Sequence, residues 1–190
     1  MRKNLIIAML YTIVTTIIFG IVYPYLVTGV AQLAFKDKAN GQLIVKNGQI
    51  LGSRIIGQPF TEARYFHSRP SAAGTGYDAA NSGGSNFAPT NKKLIDRVTG
   101  DAATAQADHP DAEVPVDLVT ASASGLDPDI TPAAAEFQVE RIARERHLSD
   151  IAIRQLVAKH TVGRQFGFLG EPRVNVLQLN LDLDGAVPAK

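Results

Sequence analysis

Two adjacent glycines framed by hydroxyl and amide side chains make NSGGSNFAP, residues 81 to 89, the stretch with the clearest capacity for chemistry. A glycine-rich loop can turn backbone N–H groups toward phosphate oxygens, and here Ser82 and Ser85 would add hydroxyl donors beside Gly83, Gly84 and Asn86. The same residues also spell a sharp turn, because glycine tolerates positive φ and Asn and Ser hydrogen-bond locally. The turn needs no ligand to explain it.

Other constellations are weaker. No G-x-x-x-x-G-K-[ST] loop and no H-E-x-x-H pair occurs, and His67, His109, His147 and His160 are scattered along the chain. Ser122 and Ser124 lie in VTASASG, yet no glycine stands two residues before either of them, so the nucleophile elbow of serine hydrolases is not formed. Asp127 and Asp129 in LDPDI offer oxygens to a hard cation, but no third carboxylate follows at calcium-loop spacing. No catalytic residue and no metal ligand is assigned. Tyr65, Phe66 and Arg69 cluster in YFHSRPSA and read as an interface anchor, since Tyr, Phe and Arg favour the centres of protein contacts.

The elements that must position these residues begin with a membrane span. After Arg2 and Lys3 no charged side chain occurs before Lys36, and residues 5 to 25 are long enough to cross about 30 Å of hydrocarbon. The run is too long, and its end too poor in small residues, for a cleaved signal peptide. Arg2 and Lys3 outweigh Lys36, Asp37 and Lys38, which keeps the N-terminus cytoplasmic and places the rest of the chain outside. Pro24 is expected to loosen the last turn of the span. Ala8, Thr12, Thr16 and Gly20 recur every four residues and present small side chains to a second transmembrane helix.

Residues 1 to 36 therefore read as a short cytoplasmic N-terminus and anchor, and residues 37 to 190 as one extracytoplasmic domain. Asn47-Gly48 supplies a type I′ hairpin turn between two short apolar runs, with Ile55 and Ile56 prolonging the second strand. A short helix is expected from Thr90 to about Val98, followed from Thr99 to Pro115 by a solvent-exposed continuation or a linker. Thr131-Pro132 and Ser149 open two further helices. Leu177, Leu179, Leu181 and Leu183 alternate with polar residues and predict a closing strand. The fold class is α+β: one N-terminal transmembrane helix followed by a single mixed α/β domain. A net charge of +1 with no basic stripe argues against nucleic acid, and the absence of cysteine removes disulfides and thiolate chemistry.

With these residues in view, the chain resembles the C-subunit family (KdpC) of the Kdp high-affinity potassium-transporting ATPase. The resemblance is carried by Tyr23-Pro24 near the end of the span and by GSRIIGQPF, YFHSRPSA, SGGSN, VPVDLVTASASGLDPDITP and VNVLQLNLDLD in that order. It implies a non-catalytic accessory subunit in the cell inner membrane, with a channel-like potassium-translocating subunit and a P-type ATP-hydrolysing subunit as partners. It also implies a catalytic chaperone that raises the ATP affinity of the hydrolysing subunit through a ternary complex, with ATP the only nucleotide involved and no firmly bound cofactor. On that basis Ser82, Gly83, Gly84, Ser85 and Asn86 would touch nucleotide. The orientation of the span argues instead for assembly and partner contact, because it puts this loop a membrane away from cytosolic ATP. A membrane-anchored hydrolase using Ser122 or Ser124, and a solute-binding module, are the alternatives from other classes.

Overall fold

The computed structural model describes residues 1 to 186 and divides into two compact units after Ile50. In the first, α1 (Arg2–Thr15), a π-helical turn (Thr16–Val22) and α2 (Tyr23–Ala34) run on as one helix of 33 residues, within which an 18-residue stretch has mean hydropathy 2.5. Its length, about 50 Å, exceeds the thickness of a hydrocarbon core. The sequence places Pro24 in the last turn of the span, but the helix runs on to Ala34 and Pro24 lies inside it. Proline has no N–H and cannot follow an undistorted turn, and the widened turn just before it, where the Tyr23 N–H reaches the Ile18 carbonyl, absorbs the mismatch. A four-residue α3 (Lys36–Ala39) follows.

β1 (Leu43–Lys46) and β2 (Gln49–Ser53) form the expected hairpin, with Asn47 at φ 53 and Gly48 at φ 77. Ile55 and Ile56 do not prolong β2: the Ile56 N–H turns back to the Ser53 carbonyl.

In the second unit α4 (Lys92–Asp108) is capped by Asn91, and of the two readings for the stretch after Val98 it follows the continuation, as far as Asp108. Residues 99 to 108 are alanine-rich, and Lys92–Asp96 and Arg97–Asp101 pairs support the helix at i,i+4, which is enough to carry it past Gly100. β3 (Asp129–Ile130) leads into α5 (Pro132–Arg146), whose N-cap is Thr131, and His147 at φ 56 ends it. Ser149 caps α6 (Asp150–His160). β4 (Thr161–Val162) and β3 flank β5 (Arg173–Asn175) in a small antiparallel sheet.

The predicted closing strand is α7 (Val176–Ala186). Alternating leucines satisfy a strand period, yet Val176, Leu179 and Leu183 also fall at i, i+3 and i+7 and are all buried. Asn175 supplies the cap, its Oδ1 accepting from the Gln178 N–H at 3.1 Å. The core lies between α5, α6, α7 and β5, with Phe66, Ile142, Ile153, Val174 and Leu179 almost completely enclosed.

Candidate functional site

Segments far apart in the chain close on residues 119 to 129. The Gly57 N–H donates to the Leu126 carbonyl at 2.8 Å. Arg69 donates to the Thr120 carbonyl and hydroxyl and to Asp127 Oδ2 at 3.1 Å, while the Tyr77 hydroxyl donates to the Arg69 carbonyl. Ser71 Oγ donates to the Gly125 carbonyl at 2.6 Å and accepts the Tyr77 N–H. Gly125 has φ 67, and a Cβ there would stand 2.6 Å from the Ala73 nitrogen, so the backbones meet where only glycine fits.

The loop at residues 82 to 86 belongs to this clasp. Ser82 Oγ and the Gly83 N–H both donate to the Ser124 carbonyl, at 3.0 and 2.9 Å, and Gly84 lies against Ala123. Two donors of the would-be phosphate cradle are therefore engaged within the chain. Ser122 and Ser124 accept backbone N–H groups from Gly125 and Leu126, as turn-forming serines do, and no histidine is among their partners in the described residues. Asp127 Oδ1 accepts the Asp129 N–H, which makes LDPDI the turn that delivers Thr131 to its cap. No three of His, Asp and Glu converge as metal ligands among the described residues.

Tyr65, Phe66 and Arg69 are divided between surface and interior. Phe66 is fully buried, and its peptide groups are held by the side-chain amide of Asn180, at 2.9 Å to the N–H and 3.0 Å to the carbonyl. His67 is held in the same way by Gln138, and Arg141, itself 5% exposed, donates to the Ala63 and Tyr65 carbonyls. A segment without strand partners thus has its backbone satisfied by side chains from α5 and α7. Tyr65 is half-buried between the guanidinium groups of Arg64 and Arg146, its hydroxyl on Asp184. Arg69 is half-buried in the clasp. In the span, Ala8, Thr12, Thr16 and Gly20 are all exposed, and a Cβ on Gly20 would lie 3.7 Å from Thr16 Cγ2, so the last two share a face.

Two clefts flank the clasp. One, of about 240 Å³, is lined by Arg69, Asp117, Asp127, Asp129, Glu171 and Arg173. Burial pushes the Asp129 carboxyl above its usual range against the pull of its Asn175 hydrogen bond. The other, of about 360 Å³, brings His67, Asp101, Asp108 and Arg141 together, and burial followed by the Arg141 charge pushes His67 down.

The feature that sequence reasoning missed lies between β4 and β5. Gln165 and Leu169 exchange backbone hydrogen bonds of 2.8 and 2.9 Å, closing a tight turn with Phe166 at φ 54 and Gly167 at φ 83. Phe166 is 81% exposed, Phe168 70% and Leu169 48%, and Arg164 pairs with Glu171 at the neck at 2.6 Å. Its signal in the sequence is F-G-F-L between glycines, aromatic residues with no period that would bury them.

The family described as K+-transporting ATPase, c chain (KdpC) matches residues 5 to 185. The potassium-transporting ATPase KdpC subunit of Koribacter versatilis is 65% identical over 188 residues, covering 99% of this chain and 97% of the relative. That of Acidobacterium capsulatum is 62% identical over 177 residues, with 93% and 95% covered, and that of Rhodopseudomonas palustris strain BisB18 is 52% identical, with 98% and 100% covered.

Proposed function

This chain belongs to the KdpC family, and on that premise we propose that it is a non-catalytic accessory subunit of an ATP-driven, high-affinity potassium import complex. The observation that carries the reading is a match along nearly the whole chain to potassium-transporting ATPase subunits, headed by one helix apolar enough to cross a membrane. Its partners are a channel-like potassium-translocating subunit and a P-type ATP-hydrolysing subunit. The N-terminus is cytoplasmic, and the domain from about residue 37 onward is extracytoplasmic, by the excess of positive charge before the span.

Within the membrane, Ala8, Thr12, Thr16 and Gly20 pack against a partner helix. In an α-helix a four-residue step overshoots a full turn by about 40°, so such a stripe winds away from its partner. The π-helical turn holds more residues per turn, so the step from Thr16 to Gly20 falls short and partly cancels that drift.

The subunit raises the ATP affinity of its hydrolysing partner as a catalytic chaperone, acting through subunit contacts. The engagement of Ser82 and Gly83 by the Ser124 carbonyl favours residues 82 to 86 as a packed contact surface over a phosphate cradle. Direct contact with ATP at these residues is the second reading, and topology decides between them. The chain has no cysteine, so Ser85→Cys carries a unique thiol. A membrane-impermeant maleimide is expected to label it in intact cells as fully as in lysed ones. Labelling only after lysis would place the loop in the cytosol and turn the assignment to nucleotide.

A further inference from the structure

Where the π-helical turn meets α2, the helix runs short of donors. The Tyr23 N–H reaches back to the Ile18 carbonyl, and the α-helical repeat resumes at Tyr23 with Val22 as its cap residue, so the Val22 carbonyl takes the Leu26 N–H. Between these two bonds stand the carbonyls of Phe19, Gly20 and Ile21, and the only N–H left for them is that of Tyr25, because Pro24 has none. At least two of the three are therefore unpaired within the helix. A Ser or Thr hydroxyl three or four residues further on could reach back to them, but residues 22 to 25 are Val, Tyr, Pro and Tyr. The three carbonyls also stand about midway between Lys3 and Lys36, the charges that bound the span, where water is scarcest. A backbone acceptor at that depth has to be satisfied by protein.

We propose that a transmembrane helix of a polytopic partner subunit packs against this turn and donates a side-chain hydrogen bond, from Ser, Thr, Asn, Gln, Tyr or Trp, to the unpaired carbonyls of residues 19 to 21. The proposal rests on the accessory-subunit reading and names the polar contact that fixes the depth at which the two helices meet. Gly20 leaves room for the approach, since only Thr16 Cγ2 lies within 4 Å of where its Cβ would stand. Lipid tails cannot fill the role, because they carry no donor. A second copy of the chain inserted the same way fits no better: a two-fold axis sets residues 19 to 21 opposite themselves, acceptors against acceptors.

The test uses the tagged full-length chain in its native membrane, with the photo-crosslinking residue p-benzoylphenylalanine in place of Ile17, Phe19 or Ile21 in turn, all of them exposed on the helix. Irradiation is expected to join at least one of these positions to a co-purifying polytopic subunit, on a helix with one of the six donor residues within a turn of the joined site. Replacing that donor by Val or Leu should lower recovery of the complex about three- to tenfold. In the Pro24→Ala chain the same replacement should have little effect, because the new N–H pairs one of the carbonyls from within. A merely structural role for Pro24 would leave the two changes additive. Additive losses, no loss on replacing the donor, a joined helix without a donor, or adducts only to lipid, only to a second copy or to nothing while the complex still co-purifies would overturn the hydrogen-bond proposal and leave the accessory reading standing. A wild-type chain that co-purifies with no polytopic subunit would instead overturn that reading, and the proposal with it.

Discussion

The second unit carries two short aromatic clusters of similar composition and opposite fate. Tyr65-Phe66 lies in a stretch with no strand pairing, yet Phe66 is completely enclosed, because Asn180, Gln138 and Arg141 take up the peptide groups around it. Phe166 and Phe168 lie in a turn where four of the five N–H groups of residues 165 to 169 donate within the turn or to its neck, and their rings stay in water. The difference teaches that burial of an irregular segment follows from who satisfies its backbone. Where other elements supply the partners, the segment is drawn into the core. Where the turn supplies its own, the side chains are left free for something outside the chain.

Truncation separates the two most sharply. Phe66→Ala removes a fully buried ring and should cost about 3–5 kcal/mol, read as a fall in the urea midpoint of the full chain in detergent. Phe168→Ala should stay within about 0.5 kcal/mol, because its ring contributes little to the folded chain alone. Equal losses would mean that the turn is part of the core.

The glycines repeat the contrast at smaller amplitude. Gly125→Ala combines a left-handed φ of 67 with a Cβ 2.6 Å from the Ala73 nitrogen, and should cost roughly 2–4 kcal/mol. Gly167→Ala has a similar φ, 83, but nothing within 4 Å of the new Cβ, so only the backbone strain of about 1–2 kcal/mol remains. If the two substitutions cost the same by denaturant titration, the close approach at Gly125 contributes nothing.

What the sequence made legible was local. Asn47-Gly48 marks the hairpin, Thr131-Pro132 the start of α5 and Ser149 that of α6, because each signal works within four residues of itself. The closing strand failed because alternate leucines match two periods at once, and the deciding residue was the cap at Asn175 rather than any leucine. The stretch after Val98 reads equally as a continuation or a linker, because its polar residues and Gly100 hide good helix propensity; the helix takes the first as far as Asp108. At the candidate site, SGGSN was recognisable as a loop, but its carbonyl partner stands at Ser124, and no local rule reaches that far. Tyr65, Phe66 and Arg69 stand out by residue type, and type cannot report that Asn180 holds the Phe66 peptide or that Thr120 receives Arg69.

The smallest predicted effect is a pH dependence confined to the inner cluster. Burial, then the nearby Arg141 charge, lowers the pKa of His67 from its usual 6.5, while the Glu62 carbonyl and Asp108 act in the opposite sense. Protonation is therefore easier in the unfolded chain than in the folded one. Between the folded pKa and 6.5 the unfolded state binds more protons, so stability rises with pH through that window and is flat above it. Acidification below about 6.5 should loosen the segment around residues 63 to 67, seen as faster amide hydrogen exchange at Phe66 and His67, and His67→Asn should flatten the profile. The turn at residues 165 to 169 contains no titratable side chain, and exchange at the Gln165 and Leu169 amides should not follow that profile. If both regions loosened together over this window, they would open as one cooperative unit, and the separation between a core held by other elements and a self-satisfied turn would fail.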